Sequence, residues 1–71
     1  MNNYHITIFF SDKINFETII KSSLDLNEFI IEINKKFNAK DNIFINFISE
    51  DTKYSVNRNK VLFYTIESVG E

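Results

Sequence analysis

The sequence has no cysteine and no proline, and its only glycine is Gly70. Without cysteine there can be no disulfide and no thiolate metal site. Without a glycine-rich loop, nucleotide binding of the common phosphate-cradling kind is excluded. Turns must be built from Asn, Asp and Ser, which tolerate turn geometry at some cost. The single histidine, His5, cannot anchor a multi-histidine site. No apolar run approaches the ~20 residues of a membrane span. The opening stretch MNNYHITIFFSDK lacks a basic segment followed by a long apolar one, so no secretory signal is expected. The expectation is a cytoplasmic protein. The net charge of −2 gives no electrostatic footprint for nucleic acid.

What is present is aromatic and aliphatic. Aromatic residues make up 15% of the chain and eight of them are Phe, which argues against disorder. Heavy use of Asn, Ile, Lys and Phe looks like an AT-rich coding bias, as in low-GC bacteria and their phages. A chain of 71 residues reads as one domain, 1–71. A domain this small buries only about 60% of its unfolded surface. Small folds often add a disulfide, a metal or a partner. Here association is the staple that composition leaves open.

The period of the apolar residues sets the elements. Tyr4, Ile6, Ile8 and Phe10 alternate with His5, Thr7, Phe9 and Ser11, a strand pattern. Ser11, Asp12 and Lys13 form the turn of a hairpin. Its second strand runs from about Ile14 to Ile20, with Ile14 and Phe16 facing inward. Beyond Phe16 the parity is ambiguous, because Thr18 is polar while Ile19 and Ile20 are both apolar. Then the period lengthens. Leu26, Phe29, Ile30, Ile33 and Phe37 fall within an arc of about 100°, the stripe of an amphipathic helix. Ser23 is one candidate N-cap; Asp25 with Glu28 is an alternative capping box. Acids lie early and Lys35, Lys36 and Lys40 late, as the helix dipole favours. Glu32 and Lys36 are spaced to pair, and Asn38 is a candidate left-handed stop. Strands follow near 42–49, 52–57 and 60–68, separated by SEDT and NRNK. The expected class is α+β: a two-layer β-β-α-β-β(-β) domain, with one amphipathic helix on one face of an antiparallel sheet.

One helix covers one face of a sheet, and the second face should then be polar. IFINFI, residues 43–48, has large apolar side chains at both parities. Either Ile43, Ile45 and Phe47 or Phe44 and Ile48 must point outward. The same choice arises for Val61 and Phe63 against Leu62, Tyr64 and Ile66. Phe9 lies opposite Ile6 and Ile8, and Ile31 sits about 140° from the centre of the helix stripe. Single exposed hydrophobics need no explanation, but contiguous patches above a few hundred Å² mark association surfaces. The candidate partner or self-association surface is Phe9, Ile19, Ile31, Phe44 and Ile48.

Chemistry is sparse. His5 has no nucleophile and orienting partner fixed nearby by sequence. Asp12, Glu50 and Asp51 read as solvated turn acids. No catalytic, cofactor-binding or metal-binding residue is assigned. Lys53, Tyr54, Arg58 and Lys60 form a basic-aromatic cluster on the last hairpin, a pattern that can serve single-stranded nucleic acid. The expected function is therefore a non-enzymatic protein-binding or self-associating module: a homodimer, or a binder of a host protein. In specific form it is a small phage or mobile-element inhibitor of a host defence protein, anti-CRISPR-like, acting in a bacterial cell. The alternative is a nucleic-acid-binding dimer using the basic-aromatic hairpin.

Overall fold

Alternation of apolar and polar side chains from Tyr4 to Ile8 produces the central strand. The computed structural model describes residues 1–39, 41 and 43–69. Its elements are β1 (Asn2–Phe9), β2 (Asn15–Ser22), α1 (Leu26–Asn38), β3 (Phe44–Ser49), β4 (Thr52–Asn57), a 3-10 turn (Arg58–Lys60) and β5 (Phe63–Val69). The α+β class holds, but the strands form two antiparallel sheets. One is three-stranded in the order β2-β1-β5; the other is the β3–β4 hairpin.

Register decides which side chains share a face. Ile8 lies between Phe16 and Tyr64, Ile6 between Thr18 and Ile66, and Tyr4 between Ile20 and Ser68. This face holds the most deeply buried residues, Tyr4, Ile6 and Ile8. Phe29 and Ile33 reach it from the helix, and Ile45, Phe47 and Val56 from the second hairpin. Aromatic pairs join the three pieces. Tyr4 stacks on Phe29 at 4.2 Å, Phe16 meets Tyr54 at 4.6 Å, and Phe37 stacks on Tyr64 at 4.1 Å while lying 6.4 Å from Phe47. Such pairs add about 0.5–1.5 kcal/mol each beyond their burial.

The helix starts at the capping box and not at Ser23. The Asp25 side chain accepts from the Glu28 N–H at 2.8 Å, and the Glu28 carboxylate accepts from the Asp25 N–H at 3.3 Å. Leu26 is thus the first helical residue and is 38% exposed, outside the buried stripe. Leu24, ahead of the cap, packs on the core in its stead, where hydrophobic staples sit. Its carbonyl accepts from the Tyr4 hydroxyl at 2.6 Å. At the other end Asn38 is no left-handed stop: the cap is Ala39, with extended backbone at φ −72° and ψ 106°. The Arg58 guanidinium donates to the Ala39 carbonyl, a cation at the helix C-terminus as the dipole favours. Glu32 pairs with Lys35 at 3.4 Å and not with Lys36. Lys40 lies outside the described residues.

One inward assignment changes, and two open parities resolve. Ile14 is 61% exposed because it belongs to the turn: its carbonyl accepts from the Phe10 N–H at 2.9 Å and its N–H donates to the Ser11 hydroxyl. Thr18 is buried and Ile19 exposed, so strand parity overrides hydrophobicity there. At the start of β5 the split cuts across both expected sets. Val61, Tyr64 and Ile66 pack on the core, while Leu62 and Phe63 are exposed. Alternation begins only at Phe63, so Val61 and Leu62 follow the turn. On the far face of the three-stranded sheet, Phe9, Phe63 and Ile19 share the surface with a polar middle. His5, Thr7, Glu17, Thr65 and Glu67 occupy it, with His5 Nε2 3.0 Å from a Glu17 carboxylate oxygen.

Candidate functional site

From Phe44 onward IFINFI resolves by parity, while Ile43, just ahead of β3, is 53% exposed although it shares the parity of Ile45 and Phe47. Ile45 and Phe47 are buried, opposite Val56 and Tyr54 of β4. Phe44 and Ile48 face away from the core, 55% and 66% exposed. Between them Asn46 accepts from the Ser55 hydroxyl at 2.8 Å, and Lys53 lies opposite Ile48. The outer face of this hairpin therefore carries two bare apolar side chains around a polar pair.

The hairpin turn is held at Glu50, which has φ 55°. This is left-handed backbone, where glycine would be least strained. The turn brings Ser49 beside β2, and the Ser49 hydroxyl donates to the Ile19 carbonyl at 2.8 Å. Ile19 can accept there because of ladder alternation. Phe10 and Ile14 share a hydrogen bond, so every second β2 residue counted from Asn15 turns its backbone groups away from β1. Ile19 is one of them. The two sheets meet at this contact without a strand pairing between β2 and β3.

A cleft of about 360 Å³ opens along the junction. Asn3, Ile19 and Lys21 line one wall; Ile48, Ser49 and Glu50 line the other. On the other side of Ile48 is a second groove of about 340 Å³, between α1 and β3. Its floor includes Phe29, Ile33 and Phe47, and Glu32 and Lys36 stand on its helix side. Ile48 borders both hollows.

The five candidate surface residues separate. Ile19 and Ile48 share the cleft, and Phe44 shares the β3 outer face with Ile48. Phe9 is only half-exposed and stacks on Phe63 at 4.3 Å, four register positions from Ile19 along the sheet. Ile31 is exposed on the helix and borders neither hollow.

The basic-aromatic cluster also divides. Lys53 and Lys60 are exposed. Tyr54 turns inward against Phe16, and Arg58 is engaged with the helix end. Among the described residues, no group of three or more His, Asp or Glu is placed to hold a metal ion.

The chain matches no known protein family, no characterised protein and no solved structure.

Asn3, Lys21, Ser49 and Glu50 complete the cleft; none is among the five candidate surface residues, and Glu50 reads from sequence only as a solvated turn acid. Their signal was weak. Ser49 and Glu50 read as a turn, and nothing in the spacing brings that turn to β2. No described helix is long and apolar enough to cross a membrane. Among the described residues, burial raises the Tyr64 phenol above its ordinary 10.0. Tyr64 donates its hydroxyl to the Asn34 side-chain oxygen, and its role is in the packing of helix on sheet.

Proposed function

We propose that the chain is a non-enzymatic protein-association module that self-associates through the outer face of the β2–β3 junction. The observation that supports this is Ile48, a large apolar side chain raised between two hollows, with Ile19 across one of them and Phe44 farther along its own strand. At 49%, 66% and 55% exposure, Ile19, Ile48 and Phe44 together bare on the order of 300 Å² per copy. Burying about 600 Å² in a pair is worth on the order of 15 kcal/mol gross. Association itself costs about 4–15 kcal/mol. The surplus leaves room for a micromolar dimer, worth about 8 kcal/mol, and not for a nanomolar one.

The test is solution mass by light scattering over a dilution series. The wild-type chain should move from twice 8.4 kDa towards 8.4 kDa on dilution. Ile48→Asp should stay at the lower mass with an unchanged circular dichroism spectrum. A wild-type chain that is monomeric at every concentration would end the self-association reading.

The more specific form is a phage or mobile-element inhibitor, anti-CRISPR-like, in the cytoplasm of a bacterial host. There the same face would mask a host defence protein. Small size, AT-rich residue usage and surplus apolar surface support it. Stoichiometric capture of one defence protein, lost in Ile48→Asp, is the result expected of that form.

The nucleic-acid alternative has less support, since Tyr54 and Arg58 are engaged in internal contacts. Salt-sensitive binding of single-stranded RNA or DNA by the wild type, lost in a Lys53→Ala and Lys60→Ala double variant, would favour it.

A further inference from the structure

A symmetric dimer places the same patch on both subunits, so the patch must complement itself. The β2–β3 cleft meets that condition in charge. Its β2 wall carries Ile19 and Lys21; its β3 wall carries Ile48 and Glu50. Lys21 and Glu50 are both exposed, and among the described residues neither makes an ion pair. A two-fold axis running along the cleft, between its walls, sets each β2 wall against the partner's β3 wall. Ile19 then meets the second copy's Ile48, and Lys21 meets its Glu50.

We infer that the occupant of this cleft is a second copy of the chain, docked about that axis with two reciprocal Lys21–Glu50 pairs flanking the isoleucines. This rests on the self-association reading and adds its geometry. Two other apolar sites lack such an argument. The groove between α1 and β3 has its acid and base on the same helix wall. At the Phe9–Phe63 end the acid and base, Asp12 and Lys13, likewise sit side by side on one turn.

The experiment is a charge-swap mixing test by sedimentation equilibrium, with folding of each variant checked by circular dichroism. Lys21→Glu leaves an acid at both positions, and Glu50→Lys leaves a base at both. Each variant alone should repel its own copy and dimerise roughly tenfold or more weakly than wild type. An equimolar mixture of the two should recover the wild-type affinity to within about threefold, because both pairs across the mixed interface become attractive. The double variant should recover as well. Added salt should weaken the wild-type dimer and strengthen each single variant, since screening removes attraction in one and repulsion in the other. Single variants that dimerise like wild type, or weakened variants that fail to recover on mixing, overturn this geometry while leaving self-association intact. A wild-type chain that never dimerises overturns both.

Discussion

The Ser49 hydroxyl donates to the Ile19 carbonyl at 2.8 Å, across the gap between two sheets that share no strand pairing. This bond ties the β3–β4 hairpin to β2 at the base of the cleft. Ser49→Ala removes the one donor on that carbonyl among the described residues. The expected loss is about 0.5–1.5 kcal/mol, read from the urea midpoint. Association should weaken with it, because the two cleft walls lose their tether.

Adjacent residues on β3 should behave as opposites. Phe47 is buried between the helix and β4, so Phe47→Ala should cost about 3–5 kcal/mol. A chain of this size is stabilised by roughly 4–10 kcal/mol in total. That variant should therefore lose much of its fold. Ile48 is exposed, so Ile48→Asp should change stability by no more than about 0.5 kcal/mol while abolishing association. Phe44→Asp should resemble Ile48→Asp and not Phe47→Ala. Thermal and urea melts check the ranking.

Glu50 couples stability and association with opposite signs. Its φ of 55° is disfavoured for any residue with a Cβ. Glu50→Gly should raise stability by about 0.5–1 kcal/mol. The same change deletes a charge from the cleft, so the dimer should weaken as the monomer becomes firmer. Urea titration and sedimentation of one sample measure both.

Tyr64 gives the fold a sensitivity to alkali. Burial raises its folded-state pKa above 10.0. The unfolded chain then loses this proton first. The contribution is complete below pH 10.0 and is lost as pH rises through the folded-state value. Stability should therefore fall on the alkaline side, and Tyr64→Phe should flatten that fall. Urea midpoints at neutral and alkaline pH, in wild type and variant, test it.

Much of the architecture was legible in the sequence because periodicity reports burial directly. Alternation along β1 fixed Tyr4, Ile6 and Ile8 as core, and helical spacing fixed Phe29, Ile33 and Phe37. Both parities of IFINFI are apolar, and that conflict was itself the pointer to Phe44 and Ile48. The sheet division was not legible. It depends on how far β2 and β3 diverge, which no local pattern encodes. Ile14 and Leu26 were misassigned for a shared reason: each lies at an element's end, where the turn or cap overrides the period. The cleft was hidden because Lys21 and Glu50 are ordinary surface charges until the fold brings them together with Ile19 and Ile48.

Association at the outer face of the β2–β3 junction leaves a local signature. Amide chemical shifts followed by two-dimensional NMR over a dilution series test it most directly. Concentration-dependent shifts are expected at Ile19, Lys21, Ile48 and Glu50, with Ile31 and Glu67 unmoved. Shifts confined to Ile31, or to the Phe9 and Phe63 end, would contradict it, as would a spectrum that does not change with concentration.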